Sequence, residues 1–201
     1  MPAVLVDAYH PALPTVQIDD VAGAGTAVRH LIDLGHRRIA YVGETLEQNP
    51  LKFQPIGDRY RGYRQTLDEA GISYCPEYHR QGKYGWREAR RMTHELLDLP
   101  EPPTAIFAYS DTMAFGVLEA AQQLGVDVPG RLSVIGFDDV EIAQYFRLTT
   151  VRQPLHESGA RGAELLLEYM DSDDGGPPIG PRHVVQPTEL VARSTTGPPL
   201  S

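Results

Sequence analysis

Residues 104–137 read TAIFAYSDTMAFGVLEAAQQLGVDVPGRLSVIGF. Two short apolar runs, 104–109 and 132–137, enclose a stretch, 112–124, whose apolar residues recur at helical spacing and which stops at Gly125. A strand, a helix ended by glycine and a second strand form the unit from which parallel sheets are built, because parallel neighbours need a crossover. The same grammar runs upstream. A strand at 38–43 follows a helix at 21–34 capped by Gly35, a helix at 58–70 ends at Gly71, and a short extended piece at 77–81 precedes a helix at 86–98. Short strands are predicted at 3–7 and 15–19. The fold class is therefore α/β, with parallel sheets flanked by helices.

Beyond Phe137 the pattern changes. A helical turn near 140–145 leads into LTTVRQP (148–154) and a helix over 155–170, and the Asp-, Gly- and Pro-rich stretch 171–181 reads as a solvated loop. Two extended pieces, HVVQP and ELVAR, come next, and 194–201 reads as a frayed tail.

Composition narrows the function. The 201 residues are 41% hydrophobic and 22% charged, ordinary for a globular protein and far from fibrous or disordered classes. No run of 18 apolar residues occurs, and the opening MPAVLVDAYHP has neither a basic leader nor an apolar signal core, so a cytoplasmic location is expected. The single cysteine, Cys75, excludes an internal disulfide and a multi-cysteine zinc site, the histidines are scattered, and neither a metal nor a cofactor is expected. A net charge of −9 opposes DNA binding by this stretch alone.

In an open parallel sheet, ligands bind beyond the carboxyl ends of the strands. The residues there are Asp7, Asp19-Asp20, Glu44, Ser110-Asp111 and Asp138-Asp139, with Arg59 opening the helix after a long loop. Carboxylates accept from hydroxyls, an arginine donates in a fork, and an aromatic ring such as Tyr84 or Trp86 covers a sugar's CH face; the set suits a polyol. Each member also has a simpler role. Ser110 or Asp111, and Asp138 or Asp139, are good helix caps, Asp7 suits a turn, Arg59 has Asp58 and Glu69 near it in sequence, and Tyr84 and Trp86 can pack between helices. Capping uses one acceptor, so the spare member of each polar pair is expected to face the cleft.

No catalytic motif for phosphate, acyl-transfer or zinc chemistry is present, and no catalytic residue is assigned. Gly23-Ala24-Gly25, with Glu44 about twenty residues on, imitates a dinucleotide fingerprint. It fails because Val28 takes the last position and Asp19-Asp20 would repel a pyrophosphate. Cys75 has His79 four residues away but no evident acid to orient it, which argues against a catalytic thiol.

Taken in order, TVQIDDVAGAGTAVRHLIDLGHRRIAYVG (15–43), DRYRGYRQTLDEAGI (58–72), the segment from Pro103 to Asp139, LTTVRQP and PTELVARST (187–195) resemble the effector-binding core of LacI/GalR-type bacterial transcription regulators. Periplasmic sugar-binding proteins share the fold and an SDTMAFG-like segment, which leaves transport as the alternative. LGHRRIAYVG, LTTVRQP and PTELVARST favour the regulators.

The resemblance implies a two-subdomain, periplasmic-binding-protein-like fold. A sugar or similar small molecule in its cleft would shift a hinge that controls a separate helix-turn-helix module, the only part to touch DNA. By position, Asp7, Arg59, Ser110 and Asp138 match ligand-contacting residues, and Ile18 and Tyr84 match residues lining the cleft. Ser110 stands where many members carry asparagine. Residues 44–57 depart from the family's Gly- and Ser-rich loop, and the chain is short around 83–87. The helix 112–124 matches one that forms a homodimer, with Met113, Val117, Ala120 and Ala121 as candidate contacts; packing inside its own sheet is the alternative. The implied division assigns 1–19 and 149–181 to an incomplete N-terminal subdomain, 20–148 and 182–193 to the C-terminal effector-binding subdomain, and 194–201 to a tail. The strand at 3–7 and the helix at 155–170 should then expose apolar faces.

Overall fold

The computed structural model describes residues 2–48, 53–172 and 180–200. In chain order the elements are β1 (Leu5–Val6), β2 (Thr15–Ile18), α1 (Asp20–Asp33), β3 (Ile39–Glu44), α2 (Gln54–Glu69), β4 (His79–Gly82), α3 (Trp86–Leu97), β5 (Ala105–Ala108), α4 (Asp111–Gln123), β6 (Ser133–Ile135), β7 (Thr150–Arg152), α5 (Leu155–Ser172), β8 (His183–Gln186) and β9 (Glu189–Val191). They divide into two units, residues 1–19 with 153–188 and residues 20–152 with 189–201.

The larger unit carries the expected architecture. Its sheet has the order β4-β3-β5-β6, every pair parallel, and its central strands bury both faces, so Ile39–Val42 and Ala105–Ala108 are at most 2% exposed. That burial is why these strands read as unbroken apolar runs instead of alternating ones. Gly71 and Gly125 take φ of 66° where α2 and α4 end, the left-handed turn that makes glycine the preferred stop signal. α2 starts earlier than predicted, at Gln54, because Pro55 and the buried Ile56 form its first turn.

The smaller unit holds a parallel sheet of order β1-β2-β8 and the helix α5. Val6, Leu155, Leu167, Met170 and Val185 are all exposed, in keeping with the apolar faces expected for the first strand and the long helix.

The predicted boundaries shift in three places. HVVQP was expected in the larger subdomain, but β8 pairs with β2 in parallel, from Thr15 opposite His183 to Ile18 opposite Gln186, and so belongs to the smaller unit. Residues 149–152, expected in the smaller one, instead belong to the larger unit, where Thr149 bridges Ile135 in parallel and 150–152 form β7, which pairs antiparallel with β9. The frayed tail is also incorrect. Thr195 is buried, Val134 N–H donates to its carbonyl at 2.7 Å, and its hydroxyl donates back to Val134 O at 2.7 Å. Buried His36 donates from Nε2 to Gly197 O at 2.8 Å. Short extended pieces far apart in sequence carry no local sign of their partners, so these pairings were not legible. The predicted loop 171–181 lies largely outside the described residues.

Helices α3 and α4 cross with backbone against backbone at Gly116, where a methyl group would press into the Trp86 carbonyl oxygen and the Ala89 Cβ. Gly116→Ala should therefore destabilise the protein by about 1–3 kcal/mol, as overpacking of a tight crossing does. A lowered urea midpoint at unchanged slope would show this, and an unchanged midpoint would mean that the crossing yields.

Candidate functional site

The carboxyl ends of β5 and β6 and the first turns of α2 meet around Arg59. The parallel sheet brings Tyr109 and Phe137 side by side as the residues that follow strands β5 and β6, and α2 starts early enough to aim Arg59 at them. Arg59 is 3% exposed. Its Nε donates to Asp20 Oδ1 at 2.7 Å, and its Nη1 donates to Tyr109 O at 2.9 Å and Asp138 Oδ1 at 3.1 Å. The guanidinium lies 3.8 Å from the Phe137 ring centroid and 4.8 Å from that of Tyr109. Burial works against the charge, but Asp138 and Asp20 outweigh it and hold the group more firmly protonated than a free arginine. Among the described residues, Nη2 has no hydrogen-bond partner and remains available as a donor.

The simpler role considered for Arg59 is thereby removed. Asp58 pairs with Arg61 at 3.1 Å and Glu69 with Arg29 at 3.3 Å. Asp20, one of the strand-end carboxylates named from the sequence, is a partner of Arg59, and Tyr109 and Phe137 are the partners that the sequence reading missed. The usable signal was positional, since the two rings follow strand ends and Asp20 opens α1.

The other candidates fall as follows. Ser110 is 1% exposed and caps α4, its Oγ accepting from Met113 N at 3.3 Å and its own hydroxyl proton left to donate. The expectation that the spare member of this pair faces a cleft is incorrect. Asp111 is fully buried, accepting from Thr150 Oγ1 at 2.6 Å and Val140 N at 2.9 Å, because those two donors lie on the segments packed behind it. Asp138 reaches Arg59 from a backbone at φ 120°, an uncommon conformation outside glycine, and Asp139 beside it has φ 58°. Tyr84 is 50% exposed and meets Tyr109 edge-on at 6.4 Å. Asp7, at φ 61°, and the buried Ile18 at the end of β2 belong to the smaller unit. The larger unit thus brings Arg59 and Asp138 into contact, with Tyr84 against one of the rings under the guanidinium.

The proposed dimer contacts need correction. Met113, Val117, Ala120 and Ala121 are at most 1% exposed, buried inside the unit by the packing of α4 on the sheet and α3. Period alone could not say which of two apolar faces of α4 looks inward. The outward face instead lines an open groove of about 670 Å³ with Phe115, Leu118, Gln122, Ile142 and Phe146, in which the Phe115 and Phe146 ring centroids are 4.9 Å apart.

Two decoys resolve physically. Gly23, Ala24 and Gly25 lie buried within α1, and Gly25 faces Thr66, so their backbone forms no loop around a phosphate. Cys75 donates to Glu77 Oε2 at 3.1 Å, and partial burial pushes its thiol up, away from the thiolate a nucleophile needs. Among the described residues there is no group of three potential metal ligands, and no helix is long and apolar enough to cross a membrane.

A two-unit α/β fold with an arginine site at its strand ends defines a class of small-molecule binding domains. The model of the periplasmic binding protein-like domain matches residues 28–196, and the chain belongs to that family. Its relatives within the family include LacI-type regulators. The HTH-type transcriptional repressor CytR of Escherichia coli (strain K12) is 37% identical over 199 residues, covering 97% of this chain and 56% of that protein. A LacI family transcriptional regulator from Enterococcus faecium, solved with bound ribose, superposes with a TM-score of 0.86 at 28% identity, covering 98% of this chain and 71% of that one. The complex of the transcriptional regulator CelR with cellobiose gives 0.83 at 29% identity, covering 96% and 58%. The chain therefore spans little more than half the length of the curated regulator it matches.

Asp111 supplies a pH test of the site's support. Burial, with the charges of Asp138 and Asp139 adding to it, pushes its carboxyl from 3.8 up to about 7, although Thr150 and Val140 donate to it. Between those values the folded protein holds a proton that the unfolded chain has released, so this stability is present in acid and is lost as pH rises through about 7. Asp111→Asn removes the charge while its Oδ1 can still accept from Val140 N and its amide N–H can donate to Thr150 Oγ1, reversing that bond. Its stability relative to the parent should climb from pH 4 to pH 7 and then level off, measured by urea titration; a flat difference would show that Asp111 is ionised throughout.

Proposed function

We propose that this chain is the ligand-sensing part of a LacI-type transcription regulator, taking a sugar or similar neutral polar effector at the Arg59 site. The observation that carries the reading is a buried guanidinium held by two carboxylates above two aromatic rings, with one donor edge still unused. One cation faces Asp20 and Asp138, so the local charge disfavours phosphates and suits hydroxyl groups, which both donate and accept. Arg59 and Asp138 would hold ligand hydroxyls, Ser110 would donate its free hydroxyl proton, and Tyr84 would cover an apolar ring face. The sugar-bound regulators among the similar structures support this class of ligand.

In this reading the protein is a cytoplasmic sensor and not an enzyme. The effector biases a two-state hinge by binding one state more tightly, and DNA is reached only through a helix-turn-helix outside these residues. Residues 1–19 and 153–188 belong to an N-terminal subdomain whose other elements cover the exposed Val6, Leu167 and Met170; these exposed side chains support that division. A second copy of the chain occupies the apolar groove on the outward face of α4, the helix matched to the family's dimer helix.

Thermal-shift measurement with pentoses, hexoses, disaccharides and nucleobases, on the chain joined to the N-terminal portion that its relatives carry, should find a ligand that raises the melting temperature. For that ligand Arg59→Ala should cost about 1.5–3 kcal/mol of affinity by calorimetry. A panel without effect, or an affinity indifferent to Arg59, would overturn the reading. Phe146→Lys should convert a dimer into a monomer in sedimentation; a parent already monomeric at micromolar concentration would remove the groove's assigned partner.

A further inference from the structure

The chain passes between the two units three times, at 19/20, 152/153 and 188/189. Charged side chains of the larger unit sit at every one of these passages, and all of them lead to one dipeptide. Asp20, the first residue after the first passage, accepts from Arg59 at 2.7 Å, and Arg59 in turn donates to Asp138 at 3.1 Å. Asp139, only 4% exposed in its side chain, accepts from Arg152 Nε at 2.8 Å, and Arg152 is the last residue before the second passage. Arg152 also reaches Glu189, the first residue after the third, at 3.2 Å. The other oxygen of Asp139 accepts from Arg193 Nη2 at 2.6 Å, and Arg193 further donates to Leu148 O at 2.7 Å. The backbone completes the tie, since Asp138 N–H donates to Val151 O at 2.8 Å.

We infer that Asp138-Asp139 is the mechanical link between the Arg59 site and the three inter-unit passages, with Asp139 as its positioning residue. The two carboxylates serve different partners from adjacent residues at positive φ, 120° and 58°, Asp138 on Arg59 and Asp139 on Arg152 and Arg193, so a shift of Asp138 toward or away from Arg59 is carried to Asp139 and its two arginines. Such a conformation persists only where surrounding contacts over-determine it, and here those contacts are the ion pairs themselves. Asp111 holds the far side of the loop through Val140 N and clamps β7 through Thr150. The inference deepens the effector reading and rests on it only for what the signal means.

The test is a double-mutant cycle on the full chain between two residues that form no ion pair with each other. Arg59→Lys shortens the grip on Asp138, and Asp139→Asn removes the charge while tolerating the left-handed backbone. Amide exchange is followed by mass spectrometry in 189–193, with α3 as the internal reference for general loosening. Arg59→Lys alone should speed exchange in 189–193 about tenfold relative to α3, and in the Asp139→Asn background it should add no more than about twofold, the non-additivity expected of coupled sites. Equal acceleration in both backgrounds, or none in either, overturns the inference, and an effect spread equally over α3 marks Arg59 as merely structural. Should Arg59→Lys fail to fold, Asp138→Asn replaces it in the cycle, cutting the same ion pair from the loop side. The cycle contains no ligand, so failure to bind any sugar would end the effector reading while leaving this result standing.

Discussion

Arg59 is buried, charged and shared between two carboxylates from different parts of the chain, and most of the larger unit's upper surface is organised by that fact. An uncompensated guanidinium in such a place would cost several kcal/mol. Asp20 and Asp138 must therefore stay where they are. Asp20 fixes the start of α1, Asp138 fixes the loop after β6, and Tyr109 O fixes the end of β5. Buried ion pairs of this kind give little net stability compared with apolar packing; what they provide here is position. Three strand and helix ends are thereby aligned around one cation, and a ligand bound as proposed would meet a lower ordering cost.

Below this layer the unit is held by apolar packing of an ordinary kind. β3 and β5 are buried on both faces, and the helix pairs α1 with α2 and α3 with α4 approach closely at glycines. Polar groups in the interior find partners at His36, which joins Thr104 at 2.9 Å to Gly197, whereas the buried Tyr41 hydroxyl has no hydrogen-bond partner among the described residues. With rigid support below and a charged layer above, small shifts at a ligand bound as proposed would be passed on instead of absorbed.

The sequence made the architecture legible because its signals are local. Apolar runs, helical spacing and glycine stops gave each element of the four-stranded sheet, and the order of motifs pointed to the family. Asp138 was legible as a candidate from its place at a strand end, and Arg59 from its place early in the helix after a long loop together with the family resemblance. What could not be read was long-range choice between equals: that Asp111 turns inward to Thr150 and Val140, that Met113 and Val117 occupy the buried side of α4, and that HVVQP joins β2 and not the larger sheet. Each depends on which partner comes near in space, and neither propensity nor period encodes that.

The last residues carry a consequence for synthesis. β9 and the Thr195–Gly197 segment supply contacts that β6, β7 and His36 lack until then, so the larger unit cannot close its hydrogen bonding while those residues are still inside the ribosome. The smaller unit also waits, because β8 comes after everything but β9 and the tail. A nascent chain halted before residue 183 would leave β2 and β7 without their partners β8 and β9 and present those open edges at once.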